Sequence, residues 1–131
     1  MGDLSAARLL LVDDEAALLK LMETFLGRIG YQVISYTSAT AALVRFEADP
    51  TDFGLIVADL TMPEMSGEQM ALKMIGLNPK VRVLLCSGYP FDLRSLPEEV
   101  RGQFSVLQKP FVPKMLTSAV EELLNRKISS R

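Results

Sequence analysis

The chain contains no histidine and only one cysteine, Cys86. Zinc sites are built largely from histidine and cysteine ligands, so this composition argues against zinc. A single cysteine cannot form a disulfide within the chain. Cys86 stands in an apolar stretch, where we expect it to be a small core residue. The sparing use of cysteine fits a cytoplasmic location.

Strong charge of either sign and very long apolar runs are also missing. Lysine and arginine number 14 against 16 aspartates and glutamates, which gives a net charge of −2. That balance offers no basic face for nucleic acid, and no run has the length of a transmembrane helix or the pattern of a signal peptide. We therefore expect no direct contact with nucleic acid or membrane. The length predicts a single domain, residues 1–131, with a core from about 7 to 125.

What the chain does contain is a set of short apolar runs that lead to charged residues. Three runs are of this kind: Leu9–Val12, Leu55–Ala58 and Phe104–Leu107. The charged residues that follow them are Asp13, Asp14, Asp59 and Lys109. Such runs are typical of buried parallel strands, whose carboxyl ends share one edge of the sheet. Three carboxylates and one ammonium group are therefore expected to converge where open α/β sheets place their ligands.

Convergence of three carboxylates has an electrostatic consequence. Two carboxylates about 4 Å apart repel by roughly 4 kcal/mol at an effective dielectric constant near 20. A hard divalent cation with oxygen ligands relieves that repulsion, and Mg²⁺ is the expected ion, with Mn²⁺ as a substitute. Any one acidic residue after a strand is as readily a turn former or helix cap. The placement of three such residues together with Lys109 at one edge of the sheet favours a ligand-binding site instead.

Strand and helix patterns alternate along the whole chain, which predicts an α/β fold with a helix after each of five strands. The first helix is predicted to bury a stripe at helical spacing: Leu18, Leu21, Met22, Phe25, Leu26 and Ile29. Ser38 is a candidate N-cap for the second helix, and Pro113 suits the first turn of the last one. Gly27 and Gly30 mark the end of the first helix.

Four motifs in order give the chain a family resemblance. They are Leu11-Val12-Asp13-Asp14-Glu15, then Val57 to Gly67, then Leu84-Leu85-Cys86-Ser87-Gly88, then Lys109-Pro110-Phe111. Together they span nearly the whole chain, and their order and spacing resemble the CheY-like receiver domain of two-component response regulators. The resemblance implies a flavodoxin-like (βα)5 fold, a doubly wound parallel sheet of strand order 2-1-3-4-5.

The resemblance also implies a role for each motif residue. Asp59 is the expected phosphoacceptor, and Lys109 and Ser87 are expected to contact the phosphoryl group. The implied magnesium ligands are Asp13, Asp14, Asp59 and the backbone carbonyl of Thr61. Pro110 is expected to follow a cis peptide bond, and Gly67 to shape the loop after Asp59 through a positive φ.

Two positions depart from the family pattern. Val106 stands where a switching tyrosine or phenylalanine is usual, which disfavours an aromatic switch, and Phe104 on the same strand face is a partial substitute. Pro97 falls where the fourth helix is expected, which predicts a helix that is short, late or mobile. The positions that tune phosphoryl lifetime are Thr61 and Tyr89, and Tyr89 is expected to hinder attacking water.

The implied function is a phosphoacceptor signalling domain that switches the face formed by the fourth helix, fifth strand and fifth helix. The donor is a sensor histidine kinase or a histidine phosphotransfer domain, because this chain has no histidine. At most it catalyses its own phosphorylation and dephosphorylation, as a monomer or weak dimer. A phosphorylation-independent interaction module and an excised receiver of a hybrid kinase stay open. A haloacid-dehalogenase-type phosphatase is disfavoured, because Thr61 occupies the place of its second aspartate.

Overall fold

The computed structural model of the protein describes residues 8–128, and residues 1–7 and 129–131 of the predicted domain lie outside the described part. Five parallel strands form one sheet of order β2-β1-β3-β4-β5. Their bounds are β1 Arg8–Val12, β2 Gln32–Tyr36, β3 Phe53–Asp59, β4 Arg82–Ser87 and β5 Phe104–Gln108. This order confirms the predicted flavodoxin-like sheet, with a switch point between β1 and β3.

Within residues 8–128, four α-helices cover the sheet: α1 Ala16–Arg28, α2 Ala39–Ala48, α3 Gly67–Leu77 and α4 Pro113–Asn125. Local signals in the sequence explain where they begin. Ser38 caps α2 by accepting a hydrogen bond from the backbone N–H of Ala41, as predicted. Ser66 and Gln69 form a reciprocal capping box at the start of α3, and Pro113 opens α4.

The core lies in two layers, one on each face of the sheet. Along β3, Ile56 and Ala58 face one layer, whereas Leu55 and Val57 face the other. Helices α2 and α3 pack in the first layer, and α1 and α4 pack in the second. The central strands are apolar on both faces, and their charged residues appear only at the ends. The functional groups are therefore confined to the edge of a rigid sheet.

The segment between β4 and β5 differs from the predicted helix. In this stretch, which the structure describes throughout, two short 3₁₀ segments, Leu93–Ser95 and Glu98–Gln103, replace an α-helix. Pro97 directly precedes the second segment and has no N–H to donate, so a helix cannot run through this position. The helical part of this segment is short and lies late in it, as predicted. The expectation of an α-helix is wrong, because the turns are 3₁₀. The mobility of the segment stays a prediction.

The buried stripe of α1 also differs in part from the prediction. Leu21 and Ile29 are 51% and 57% exposed, whereas Leu19, Met22 and Leu26 are buried. Ile29 is exposed because it follows the last helical residue, and Gly30 then turns the chain with a φ of +104°. None of the helices within residues 8–128 is long and apolar enough to cross a membrane.

Candidate functional site

The carboxyl ends of β1 and β3 bring three carboxylates together. Val12 lies opposite Ala58 in the sheet, so the residues that follow them meet at the same edge. One carboxylate oxygen from each of Asp13, Asp14 and Asp59 lies within 4.8 Å of the other two. Neighbouring parallel strands in register impose this meeting, as the sequence predicted.

The three carboxylates differ in their surroundings. Asp13 is fully buried and Asp59 is 8% exposed, whereas Asp14 faces solvent. One oxygen of Asp13 accepts a hydrogen bond of 2.8 Å from the backbone N–H of Glu15. The backbone N–H of Asp13 donates to the carbonyl of Tyr36, at the end of β2. Asp13 is thus fixed on both sides, and Asp14 is the carboxylate with free access to water.

Lys109 brings its ammonium group into the centre of these acids. Its Nζ lies 3.3 Å from Asp13, 3.2 Å from Asp59 and 3.3 Å from Glu15. The backbone N–H of Lys109 donates to the carbonyl of Ser87, which fixes the start of the loop after β5, and the Lys109–Pro110 peptide bond is cis as predicted. No role in the site was predicted for Glu15 from the sequence. Its position directly after the two aspartates is the signal that points to this contact.

The pKa values of these groups reflect burial and mutual repulsion. Burial, followed by the charge of Asp13, raises the pKa of Asp59 above its ordinary value, and Lys109 only partly opposes the rise. Burial also raises the pKa of Asp13. For Lys109 burial alone lowers the pKa, but the neighbouring carboxylates outweigh it and hold the pKa above its ordinary value. The pocket therefore carries more negative charge than one lysine neutralises.

The residues of the pocket fit a hard divalent cation. All three candidate side-chain ligands are carboxylates, and their oxygens already lie within 4.8 Å of one another. Asp59 and Asp13 keep raised pKa values despite Lys109, so a further positive charge at this point is favourable. Burial raises the pKa of Cys86 to about 12, so its thiol stays protonated and is not a competing soft ligand. This donor set suits Mg²⁺.

Ser87 reaches the same edge of the sheet but does not point its hydroxyl at the acids. It ends β4, one residue after Cys86, which lies opposite Asp59. Its hydroxyl donates to the carbonyl of Tyr89 and accepts a 3.1 Å hydrogen bond from the N–H of the same residue. The side chain of Tyr89 is 53% exposed. Ser87 therefore holds the start of the β4–β5 connection in a closed turn.

The loop after Asp59 is closed at its base by Gly67. The N–H of Gly67 donates to the carbonyl of Leu60, and that of Leu60 donates to the carbonyl of Cys86. A Cβ atom on Gly67 would lie 2.3 Å from the carbonyl oxygen of Asp59. The sequence correctly singles out this glycine, but a positive φ is the wrong reason: Gly67 is needed for its close approach to Asp59. Thr61 lies in this loop and is exposed.

Val106, which occupies the position of the usual aromatic residue, lies beneath the 3₁₀ segments. Val106 is partly buried and packs against the same core layer as Leu93 and Val100. Phe104 belongs to the same layer and is buried, as expected from their spacing of two along β5. Both side chains lie on the face of β5 that supports the segment after Ser87.

The sequence profile of the response regulator receiver domain matches residues 9–121. The chain belongs to the receiver domain family. Receiver domains work with histidine kinases or histidine phosphotransfer proteins in two-component signalling and typically bind Mg²⁺. The family resemblance of the four motifs is thus confirmed, and this receiver domain carries an acidic cluster of Asp13, Asp14 and Asp59.

Individual relatives agree with this assignment. The receiver domain is 26% identical over 117 residues to the response regulator receiver protein CpdR of Brucella abortus, covering 89% of this chain and 96% of CpdR. It is 34% identical over 127 residues to the sensor kinase CckA of the same species, covering 95% of this chain and 13% of the kinase. Against the crystal structure of a CheY-like receiver from Methanospirillum hungatei JF-1 the TM-score is 0.81 at 28% identity, covering 92% of this chain and 95% of that one.

The relatives differ in how much of their length this receiver domain spans. It matches nearly all of CpdR, but it spans a quarter or less of several other curated relatives, which are transcriptional regulators and a sensor kinase. Similar receivers therefore occur both alone and as parts of longer proteins.

Proposed function

We propose that Asp59 accepts a phosphoryl group from a phosphohistidine on a sensor kinase or phosphotransfer domain, in a reaction that needs Mg²⁺. The observation that carries this proposal is the meeting of Asp59 with two further carboxylates and with Lys109, whose Nζ lies 3.2 Å from the Asp59 carboxylate. A nucleophilic carboxylate beside a metal-ligating pair and a fixed cation suits phosphoryl transfer.

Asp59 acts as the nucleophile in this proposal. An oxygen of its carboxylate forms a bond to phosphorus while the phosphorus–nitrogen bond to the donor imidazole breaks, and the electron pair of that bond stays on the imidazole nitrogen. Asp13, Asp14, Asp59 and the Thr61 carbonyl would hold Mg²⁺. When bound, the ion neutralises charge on the transferring group and aligns it for in-line attack. Hydrolysis later returns the carboxylate and releases phosphate.

Lys109 neutralises the product of this transfer. The phosphoryl group adds a charge of about −1.5 to −2 and three acceptor oxygens beside the ammonium group. Lys109 is already within 3.3 Å of three carboxylates, so it needs only a small movement to exchange one of them for a phosphoryl oxygen. The side chain is 18% exposed, which preserves the strength of the contact.

Ser87 connects the phosphoryl group to a change in shape. A phosphoryl oxygen within reach of its hydroxyl competes with the carbonyl of Tyr89, which now accepts that hydrogen bond. Loss of both Ser87–Tyr89 hydrogen bonds releases the start of the segment that carries the two 3₁₀ turns. The proposed output face is therefore these turns, β5 and α4, with Val106 and Phe104 beneath them in place of an aromatic switch.

Several finer properties belong to the same proposal. Thr61 and Tyr89 stay predicted as residues that tune the lifetime of the acyl phosphate. We also propose that residues 1–131 form one receiver domain that is cytoplasmic, acts as a monomer or weak dimer and changes no other substrate. Mn²⁺ would replace Mg²⁺ because it accepts the same oxygen ligands.

A phosphorus–nitrogen donor and chemical trapping test the proposed function. Phosphoramidate imitates the bond of phosphohistidine, and borohydride reduces an acyl phosphate to an alcohol at the modified residue. We expect peptide mapping to find the reduced residue at position 59, and only when Mg²⁺ was present. A folded protein that takes up no phosphoryl group from either phosphoramidate or a phosphohistidine domain would instead favour the phosphorylation-independent interaction module.

A further inference from the structure

Hydrogen bonds hold the loop that follows Asp59 at two places, its base and its tip. At the base, the N–H of Gly67 donates to the carbonyl of Leu60 over 2.8 Å. At the tip, the carboxylate of Glu64 reaches the first residues of α2, which lie 24 and 26 positions earlier in the chain. Thr61, the expected carbonyl ligand, lies between these two anchors.

The contact at the tip consists of three hydrogen bonds to one carboxylate. The hydroxyl of Ser38 donates to the two oxygens of Glu64 over 3.0 and 3.1 Å, and the backbone N–H of Thr40 donates over 3.3 Å. The same hydroxyl oxygen accepts from the N–H of Ala41. Glu64 thus meets the positive end of α2, and its two oxygens share the hydrogen bond that the Ser38 hydroxyl donates. These N–H and hydroxyl donors lower the pKa of Glu64.

The start of α2 is connected in turn to the acidic pocket. Ser38 follows β2 after one residue, and the last residue of β2, Tyr36, accepts a hydrogen bond of 3.2 Å from the backbone N–H of Asp13. A path of chain and hydrogen bonds therefore runs from Asp13 through the start of α2 to Glu64 and on to Asp59, and the pairing of β1 with β3 closes it into a ring. The ring therefore joins the two strand ends that carry the expected metal ligands.

We propose that Glu64 is a positioning residue: by tying the loop of Thr61 to the start of α2, it sets the spacing of the magnesium ligands and hence the affinity for Mg²⁺. The inference rests on the proposed function. The tie restrains the loop on the β1 side of the site, whereas the loop after Ser87 on the β4 side is left free to rearrange. Glu64 is exposed, and its hydrogen bonds go to Ser38 and Thr40 rather than to the acidic cluster, so it acts on the metal site through the position of the loop.

Titration of the full chain with Mg²⁺ alone, followed by calorimetry, tests this role. We expect Glu64→Gln to weaken Mg²⁺ binding by about threefold to tenfold, because it removes the charge that holds the Ser38 hydroxyl and the helix terminus. The matched control is Glu47→Gln, which neutralises an exposed glutamate near the other end of α2 and should leave the affinity unchanged. Thermal unfolding without metal checks that both variants fold.

A second variant changes Ser38, the hydrogen-bond partner of Glu64. Ser38→Asp keeps an acceptor that caps α2, but it removes the donor and faces Glu64 with a second negative charge. We expect it to weaken Mg²⁺ binding at least as much as Glu64→Gln. In the double variant the introduced amide donates to the introduced carboxylate, so the affinity should recover part of the loss rather than fall further.

The outcomes separate this inference from the function on which it rests. Native affinity in both Glu64→Gln and Ser38→Asp, in a protein that still takes up phosphoryl groups, would overturn the role of Glu64 and leave the proposed function intact. Additive losses in the double variant would also overturn it, because the two side chains would then act independently. Absence of Mg²⁺ binding by the native protein would overturn both.

Discussion

Replacing Gly67 by alanine should lower the free energy of unfolding by about 3 kcal/mol, because the new methyl group has no space beside the backbone. The Cβ atom would lie 2.3 Å from the carbonyl oxygen of Asp59 and 3.2 Å from the Cα of Leu60. Both are main-chain atoms of a buried strand end, so neither yields by a side-chain rotation. Either α3 or the end of β3 must move, and the position of Asp59 changes with it.

Equilibrium unfolding in urea measures this loss, and Gly76→Ala is the matched control. Gly76 lies in the same helix, and a Cβ added there would have no atom within 4 Å apart from its chain neighbours and the backbone of its own helix. Since alanine favours a helix more than glycine does, that variant should gain up to about 1 kcal/mol. Equal stability of Gly67→Ala and the native protein would mean that the loop after Asp59 is not packed as described.

Replacing Lys109 by methionine should destabilise the metal-free protein by about 2 kcal/mol near neutral pH, because buried carboxylates lose their shared cation. Its ammonium group contacts Asp13, Glu15 and Asp59 in this structure. The raised pKa of Lys109 means that its ion pairs stabilise the fold at pH values below its ordinary value of 10.5, for as long as Asp13 and Asp59 are ionised. Without it, Asp13 and Asp59 repel each other with no opposing charge.

The stability lost in Lys109→Met should depend on pH, because the two carboxylates that the lysine contacts change their protonation state. Asp13 and Asp59 have raised pKa values, so the folded state binds their protons more tightly than the unfolded state does. Stability from these groups is therefore lost as pH rises through the folded pKa and regained as pH falls below it. Denaturation in the presence of a chelator should show a larger loss at about pH 7 than at about pH 5.

The control for this experiment is Lys114→Met, which removes an exposed lysine from the first turn of α4. It should change stability by less than about 0.5 kcal/mol. Added Mg²⁺ should restore much of the stability lost in Lys109→Met, since a second cation then serves the same carboxylates. A loss that is equal at both pH values and insensitive to Mg²⁺ would show that packing of the lysine stem matters, rather than its charge.

The parts of the site that the sequence predicts are those fixed by strand register. Asp13, Asp14 and Asp59 follow apolar runs directly, and parallel strands bring their carboxyl ends to one edge whatever the loops do. Ser38 and Pro113 are equally local signals, because a cap or a first-turn proline acts within a few residues. These features need no knowledge of distant contacts.

The features that the sequence does not reveal depend on contacts between distant segments. Glu64 meets Ser38 across 26 positions, and Glu15 meets Lys109 across 94. The role of Gly67 follows from its distance to Asp59 and not from its own backbone angles. Pro97 correctly indicates an irregular segment, but a proline excludes a regular helix without specifying the 3₁₀ turns that replace it.

The choice between a free-standing receiver and part of a longer protein bears on the output. CpdR is matched over nearly its whole length, whereas the sensor kinase CckA is matched over 13%. In the first arrangement the proposed face of 3₁₀ turns, β5 and α4 would bind a separate partner. In the second it would contact other domains of the same protein. The phosphoacceptor chemistry proposed for Asp59 is the same in both.

Intact mass after incubation with acetyl phosphate tests the central claim most directly. The native protein and Asp59→Asn are compared with and without Mg²⁺, and the asparagine keeps the shape of the side chain but removes the nucleophile. We predict a gain of one phosphoryl group by the native protein with Mg²⁺ and no gain in the other three samples. The same gain in Asp59→Asn would contradict the claim that Asp59 is the phosphoacceptor.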